Sequence, residues 1–306
     1  MVDSHQSDFG EASGRRTGQA GRARSFGLAC GLAFVPVWVV LAMLLAGCTH
    51  RSVLEFASKV ALPSGKTSIR LEIQNGTIGI AAGPAGEVAF AGGARRAGES
   101  AEALARIEAV PLEFRVFDDP TQPTVLVLRG PELPPATDGI LALELGVHLP
   151  ADLPLELKIT GLGHVTMADR AAASRVTTRS GDLRFERCAG GVMGRTGAGN
   201  VIAFEHRGDL DIHAGIGDMQ VFVRAPAETI RLVTGQGTLQ CHVPANLGFE
   251  VDARVDIGRI GNGFGLTATT VADYGAVLVG RREPVGTKIV LRTARGHISL
   301  APKAFE

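Results

Sequence analysis

Tyrosine and tryptophan are nearly absent from this 306-residue chain, which carries one of each, Tyr274 and Trp38. Sugar sites commonly stack rings on such side chains, so their scarcity argues against a carbohydrate-binding surface. Net charge is absent too, since 31 Lys and Arg balance 31 Asp and Glu. Without a basic stripe the chain lacks the electrostatic footprint of a nucleic-acid partner. Cysteine is sparse, with four residues, of which Cys30 and Cys48 fall in the first 48 positions. The other two, Cys188 and Cys241, lie three repeats apart, which is about 14 Å along a stack of strands. A disulfide needs Cα atoms within about 7 Å. Cys241 is therefore expected as a small core residue and Cys188 as an unpaired thiol, not as a disulfide framework.

Long hydrophobic runs are missing with one exception. Residues 1–25 are polar, with Arg15, Arg16, Arg22 and Arg24 and no lysine, and Phe26 to Ala46 is then almost uncharged. The run ends in Leu45-Ala-Gly-Cys48. A basic stretch, an apolar stretch and a small-residue cleavage site make an export signal. The Leu-Ala-Gly-Cys end resembles a bacterial lipobox, in which the cysteine is diacylated and becomes the first residue after cleavage. Acyl chains contribute about 0.8 kcal/mol per buried methylene, so two or three hold a protein stably on a membrane. The alternative is an uncleaved helix anchor, because 21 apolar residues can span a bilayer. Both readings export the carboxy-terminal part and tie it to the cell envelope through the membrane. In a cell with two membranes, Thr49 in place of aspartate after Cys48 resembles the pattern sorted to the outer one.

What the chain has in plenty is glycine, 40 residues, and seven of them keep time. Gly163, Gly181, Gly199, Gly217, Gly237, Gly258 and Gly296 are separated by 18, 18, 18, 20, 21 and 38 residues, the last close to two further steps. A fixed period signals one supersecondary unit stacked on copies of itself. The second and fourth residues after the first five glycines are apolar: Val165/Met167, Leu183/Phe185, Val201/Ala203, Met219/Val221 and Leu239/Cys241. Such alternation marks a strand with one buried face. A second alternating run follows halfway through each repeat, as in Ala173–Thr178 and Asp209–His213. Each repeat thus reads as strand, short turn, strand, glycine turn. A sandwich or meander of hairpins would also give two strands per repeat. The near-constant period favours stacked coils.

Residues 51–160 are less regular. Ser68–Ile73 and Asn75–Ile80 read as a degenerate copy of the repeat, and Val88–Phe90 as a further strand. Glu99–Ile107 is the best helix, with Ser100 to cap it and Ala103, Leu104 and Ile107 as its apolar stripe. Pro-rich loops then separate the strands that lead into the first regular repeat.

The repeats carry Thr178-Arg-Ser-Gly-Asp-Leu183, Thr196-Gly-Ala-Gly-Asn-Val201, Thr234-Gly-Gln-Gly-Thr-Leu239 and Thr293-Ala-Arg-Gly-His-Ile298. With the helix-interrupted start and the Pro-containing lead-in, residues 67–300 resemble the bacterial putative-adhesin family. The resemblance implies a repetitive β-solenoid in a protein often exported or lipid-anchored, and it brings no catalytic residues.

The repeats place several polar side chains in columns. Asp182, Asn200, Asp218 and Thr238 form a column after the corner glycines, either a cation ladder or side chains that bond the turn backbone. Asp209 and Asp211 alternate on one face, as carboxylate pairs or as a solvated surface. No Cys/His/Asp grouping has metal-ligand spacing, and no cofactor is expected. Phe204 and Phe222 fall at equivalent places on adjacent coils with Ile202 beside them, all expected to point outward. They are the candidate binding residues unless a loop or the helix covers them.

The expected fold is all-β: a single-stranded β-solenoid or β-roll of about 18–20 residues per coil, two short strands per coil and one short helix near the start. The expected division is a leader over 1–48, a tether over 49–66, an irregular β part over 67–160 and the repeats over 161–300. The expected protein is a lipid-anchored envelope module, non-catalytic and adhesin-like, held to the membrane at Cys48 and binding an unknown envelope partner. A self-assembling envelope scaffold is the alternative, and a polysaccharide-acting β-helix enzyme comes third.

Overall fold

The computed structural model describes residues 50–303 apart from 136, 225, 272 and 273. The expected leader over 1–48, with Cys48, lies outside the described residues. Among the described residues the fold is all-β with one short helix. The first part contains β1 (His50–Ala61), β2 (Ser68–Ile73), β3 (Gly76–Gly83), β4 (Glu87–Gly98), α1 (Ala101–Glu108), β5 (Arg115–Asp118), β6 (Val125–Arg129) and β7 (Gly139–Pro150). The middle contains β8 (Leu155–Ala168), β9 (Ser174–Ser180), β10 (Leu183–Glu186), β11 (Val192–Ala198), β12 (Val201–His206), β13 (Leu210–Ile216), β14 (Met219–Val223), β15 (Thr229–Gln236) and β16 (Leu239–Pro244). The last part contains β17 (Phe249–Asn262), β18 (Thr269–Val271), β19 (Gly275–Arg282) and β20 (Thr287–Lys303).

Two parallel ladders run through the middle. In one, β8, β10, β12, β14 and β16 pair in register, Val165 beside Leu183, Leu183 beside Val201, Val201 beside Met219 and Met219 beside Leu239. In the other, β8, β9, β11, β13 and β15 pair in the same way. The ten inward residues expected from alternation, Val165 through Cys241, are each at most 1% exposed. Full burial of one such side chain is worth about 1.5–3 kcal/mol, and the core continues from rung to rung.

The corner between the ladders is a column of glycines. Gly199 and Gly217 have φ of +150° and +149°, and a Cβ added at either would lie within 2.1 Å of the carbonyl oxygen of the glycine one rung below. Glycine is required there by both conformation and space. Beside this column runs one of buried threonines. The hydroxyls of Thr178, Thr196, Thr234 and Thr293 lie 3.0–3.3 Å from the carbonyl oxygens of Gly163, Gly181, Gly217 and Gly237. Ala214 takes the threonine place on the remaining rung.

The order of rungs departs from the order of the sequence at both ends. The first half of β20 pairs with β15 and its second half with β16, while β17 lies on the far side of β20. Gly296 therefore stacks on Gly237, and Gly258 stacks on Gly296. The 38-residue step is not two further coils in line, because the chain passes one rung out and returns to fill the gap. At the other end β2 and β3 lie between β8 and the strands β6 and β7. The first and last rungs in sequence are thus interior, and each is held by strands on both sides.

Antiparallel strands flank the parallel ladders at both ends. β4 pairs with β7, β1 with β4, and β5 with β6. At the opposite end β19 pairs with β17 and β18 with β19. Residues 50–61, placed in the tether by the sequence reading, form β1. It pairs with β4 along its full length. The helix forms as expected. Ser100 Oγ accepts the backbone N–H of Ala103 at 3.1 Å, and Ala103 and Ile107 are buried against β4, β7 and β1.

Candidate functional site

The polar column after the corner glycines bonds the backbone. Asp182 Oδ1 accepts the N–H of Asn200 at 2.7 Å, Asn200 Oδ1 that of Asp218 at 2.9 Å, and Asp218 Oδ1 that of Thr238 at 2.7 Å. His164 Nδ1 begins the series by accepting the N–H of Asp182 at 3.1 Å. One oxygen of each of these three side chains is thus turned to the backbone of the next rung. Among the described residues no group of three or more His, Cys, Asp or Glu side chains is placed to hold a metal ion. Asp209 is similarly engaged, its Oδ1 accepting the N–H groups of Glu228 and Thr229 at 2.8 and 2.9 Å. Asp211 instead meets His213 Nε2 at 2.9 Å and Arg231 Nε at 3.7 Å.

A second corner column repeats at the same 18-residue spacing. Asp169, Arg187 and Glu205 adopt positive φ of 56°, 49° and 52°. Arg187 makes two bonds to Asp169, at 2.7 and 2.8 Å, and Arg224 bonds Glu205 at 3.0 Å. The residues that follow, Arg170, Cys188 and His206, are turned inward and are at most 1% exposed. Burial raises the Cys188 thiol pKa above its ordinary value and pushes Cys241 up to about 12, so neither is a ready nucleophile.

His206 gives this corner a pH dependence. Its Nε2 lies 3.2 Å from the Asp209 carbonyl oxygen, Nδ1 has no partner, and burial lowers its pKa below the ordinary 6.5. The imidazole is neutral in the fold and can charge once unfolded, so its contribution is complete above pH 6.5 and declines as the pH falls below it. Asp119 acts at lower pH. The Thr121 hydroxyl, the N–H groups of Thr121 and Gln122, and Arg70 hold its carboxyl at about 2, so its contribution is lost from pH 3.8 toward 2. The urea midpoint is therefore expected to fall as pH drops from 7 to 5. His206→Asn should flatten that fall, and an equally steep slope in the variant would assign it to other groups.

The outer face of the ladder formed by β8, β9, β11, β13 and β15 carries a groove of about 560 Å³. Along it Arg70, Glu156, Arg175, Met193, Asp211 and Arg231 occupy successive rungs. Arg70 bonds Glu156 at 2.7 Å and also meets Asp119. Opposite charges on neighbouring rungs support the stack, and their mutual pairing leaves little net field for a charged ligand.

The outer face of the ladder formed by β10, β12, β14 and β16 holds a different cluster. Phe204 on β12 and Phe222 on β14 meet edge to face, with centroids 5.5 Å apart. Phe222 stacks on His242 of β16 at 4.6 Å and 11°. Lys303 at the end of β20 places Nζ 3.9 Å from the Phe222 centroid and 5.2 Å from that of Phe204. Phe204 is 38% exposed, and Phe222 and Ile202 are half-buried. Burial, with the nearby Lys303 charge, lowers the His242 pKa and favours a neutral ring against the stack. The helix packs on β4, β7 and β1, and so does not cover this cluster. Sequence reasoning brought Phe204 and Phe222 together but missed His242 and Lys303. The 20-residue step from Phe222 to His242 was available in the repeat. Lys303 was not, because its rung lies out of sequence order.

No protein-family model and no curated protein matches the chain. Similar solved structures include a putative cell adhesion protein from Clostridium sporogenes ATCC 15579, with TM-score 0.35, 10% identity and coverage of 82% of this chain and 100% of that one. A putative adhesin from Bacteroides fragilis NCTC 9343 is similar with TM-score 0.31 and 12% identity, over 82% and 97% of the two chains. A third, a putative adhesin from Parabacteroides distasonis ATCC 8503, has TM-score 0.24 and 9% identity over 82% and 97%.

Proposed function

We propose that the protein is an exported, membrane-anchored, non-catalytic binding module of the cell envelope. It is a β-solenoid that presents Ile202, Phe204 and Phe222 to a partner in an adhesin-like role. The solenoid reading draws support from parallel pairing at steps of 18 to 20 residues in both ladders. The anchoring reading draws support from the basic and apolar leader ending in Leu-Ala-Gly-Cys48. The binding reading rests on one observation, the stacked rings of Phe204, Phe222 and His242 with Lys303 across them, on an outer surface. Aromatic side chains fixed in place bind at low entropic cost and dominate contact energies. A rigid ladder supplies that fixity without a mobile loop.

The Phe204→Ser/Phe222→Ser double variant tests this role. It is expected to keep the far-UV circular dichroism of the wild type and to lose adhesion of cells that display it. Undiminished adhesion would remove the patch from the binding surface, and an unfolded variant would make the two rings part of the core.

A further inference from the structure

The first strand begins almost at the anchor. Only Thr49 separates Cys48 from His50, the first residue of β1. Two residues reach at most about 7 Å, close to the thickness of one headgroup layer, about 5–8 Å. An uncleaved anchor ending at Ala46 would allow only about 14 Å. Under either form of the anchoring reading, on which this inference rests, the bilayer surface lies beside β1.

The strand itself is suited to that place. Among the described residues β1 pairs on one side only, with β4, and no described strand covers its other edge. Val53 is 70% exposed and Leu54 49%, both within six residues of Cys48. An open edge in water invites pairing with another chain, and an open edge in hydrocarbon leaves polar groups unsatisfied. The headgroup layer avoids both costs. It supplies water and phosphate oxygens to the backbone and takes exposed apolar side chains out of bulk water.

We propose that the open edge of β1 is a membrane-contact surface on which the ladder stands upright, with Val53 and Leu54 in the headgroup layer. Six strand spacings separate β1 from β12 through β4, β7, β3, β8 and β10. The aromatic patch is then held about 30 Å above the surface, and β19 stands about 50 Å away.

The test uses the full chain, matured in cells and reconstituted into phosphatidylethanolamine–phosphatidylglycerol vesicles. An environment-sensitive thiol-reactive fluorophore is placed at Val53→Cys or at Val279→Cys, a residue 67% exposed on β19. Cys188 and Cys241 are fully buried and stay unlabelled. The Val53→Cys probe is expected to shift to the blue on reconstitution and to be quenched by headgroup spin-labelled lipid. The Val279→Cys probe is expected to keep its aqueous emission. Protein that floats with the vesicles while both probes stay aqueous would overturn the contact surface and leave anchoring intact. Equal quenching of both probes would overturn the upright stance. Wild type that fails to float would remove the anchor, and the contact surface with it.

Discussion

Gly217→Ala is expected to destabilise the fold by about 3–5 kcal/mol, although it adds a single methyl group. Two costs combine. The φ of +149° is one that L-residues rarely adopt, and the new Cβ would lie 1.9 Å from the Gly199 carbonyl oxygen. That oxygen belongs to the rung below, so relieving the clash means separating two rungs that share a core. A fall in Tm of about 10 °C or more follows for a domain of this size. Gly261→Ala is the control, since its Cβ meets nothing within 4 Å and its φ is ordinary. It should change stability by no more than about 0.5 kcal/mol. Thermal unfolding of the two variants side by side checks the difference, and similar melting temperatures would refute the corner as the seam of the stack.

Arg170→Ala is expected to have an effect of similar size, about 3–5 kcal/mol in urea unfolding at pH 7. Among the described residues Arg170 is the largest fully buried side chain, at 1% exposure. Its guanidinium donates to the carbonyl oxygens of Leu149, Pro150 and Leu153, which pins the turn between β7 and β8. Burial disfavours the charged form, and its pKa is lowered for that reason. That desolvation cost tempers the loss but does not reverse it, because alanine leaves both a cavity and three carbonyls without their donor. Arg170→Lys retains the charge but lacks the planar fork, and should recover less than half of the lost stability. A variant as stable as the wild type would show that water reaches this turn.

Much of this was legible in the sequence, for a physical reason. Where coils stack in register, each residue repeats its environment one rung later, so 18-residue spacing reports space directly. The inward pairs from Val165/Met167 to Leu239/Cys241, the backbone-bonding column at Asp182, Asn200 and Asp218, and the Phe204–Phe222 neighbourhood all follow from that rule. The rule fails where sequence order and spatial order part. Gly258 and Gly296 lie on exchanged rungs, and periodicity carries no information about which of two coils sits nearer the core of the stack. Lys303 reaches the aromatic patch only through that exchange. His50–Ala61 read as tether because its pairing with β4 depends on an antiparallel return that no repeat announces.

Anchoring at Cys48 is the claim on which function turns, since it places the aromatic patch on the envelope and β1 at the membrane. Growth with a labelled fatty acid, comparing wild type with Cys48→Ala, tests it directly. The account predicts label on the wild-type protein and none on the variant. Unlabelled wild type, or equal label on both, would contradict it.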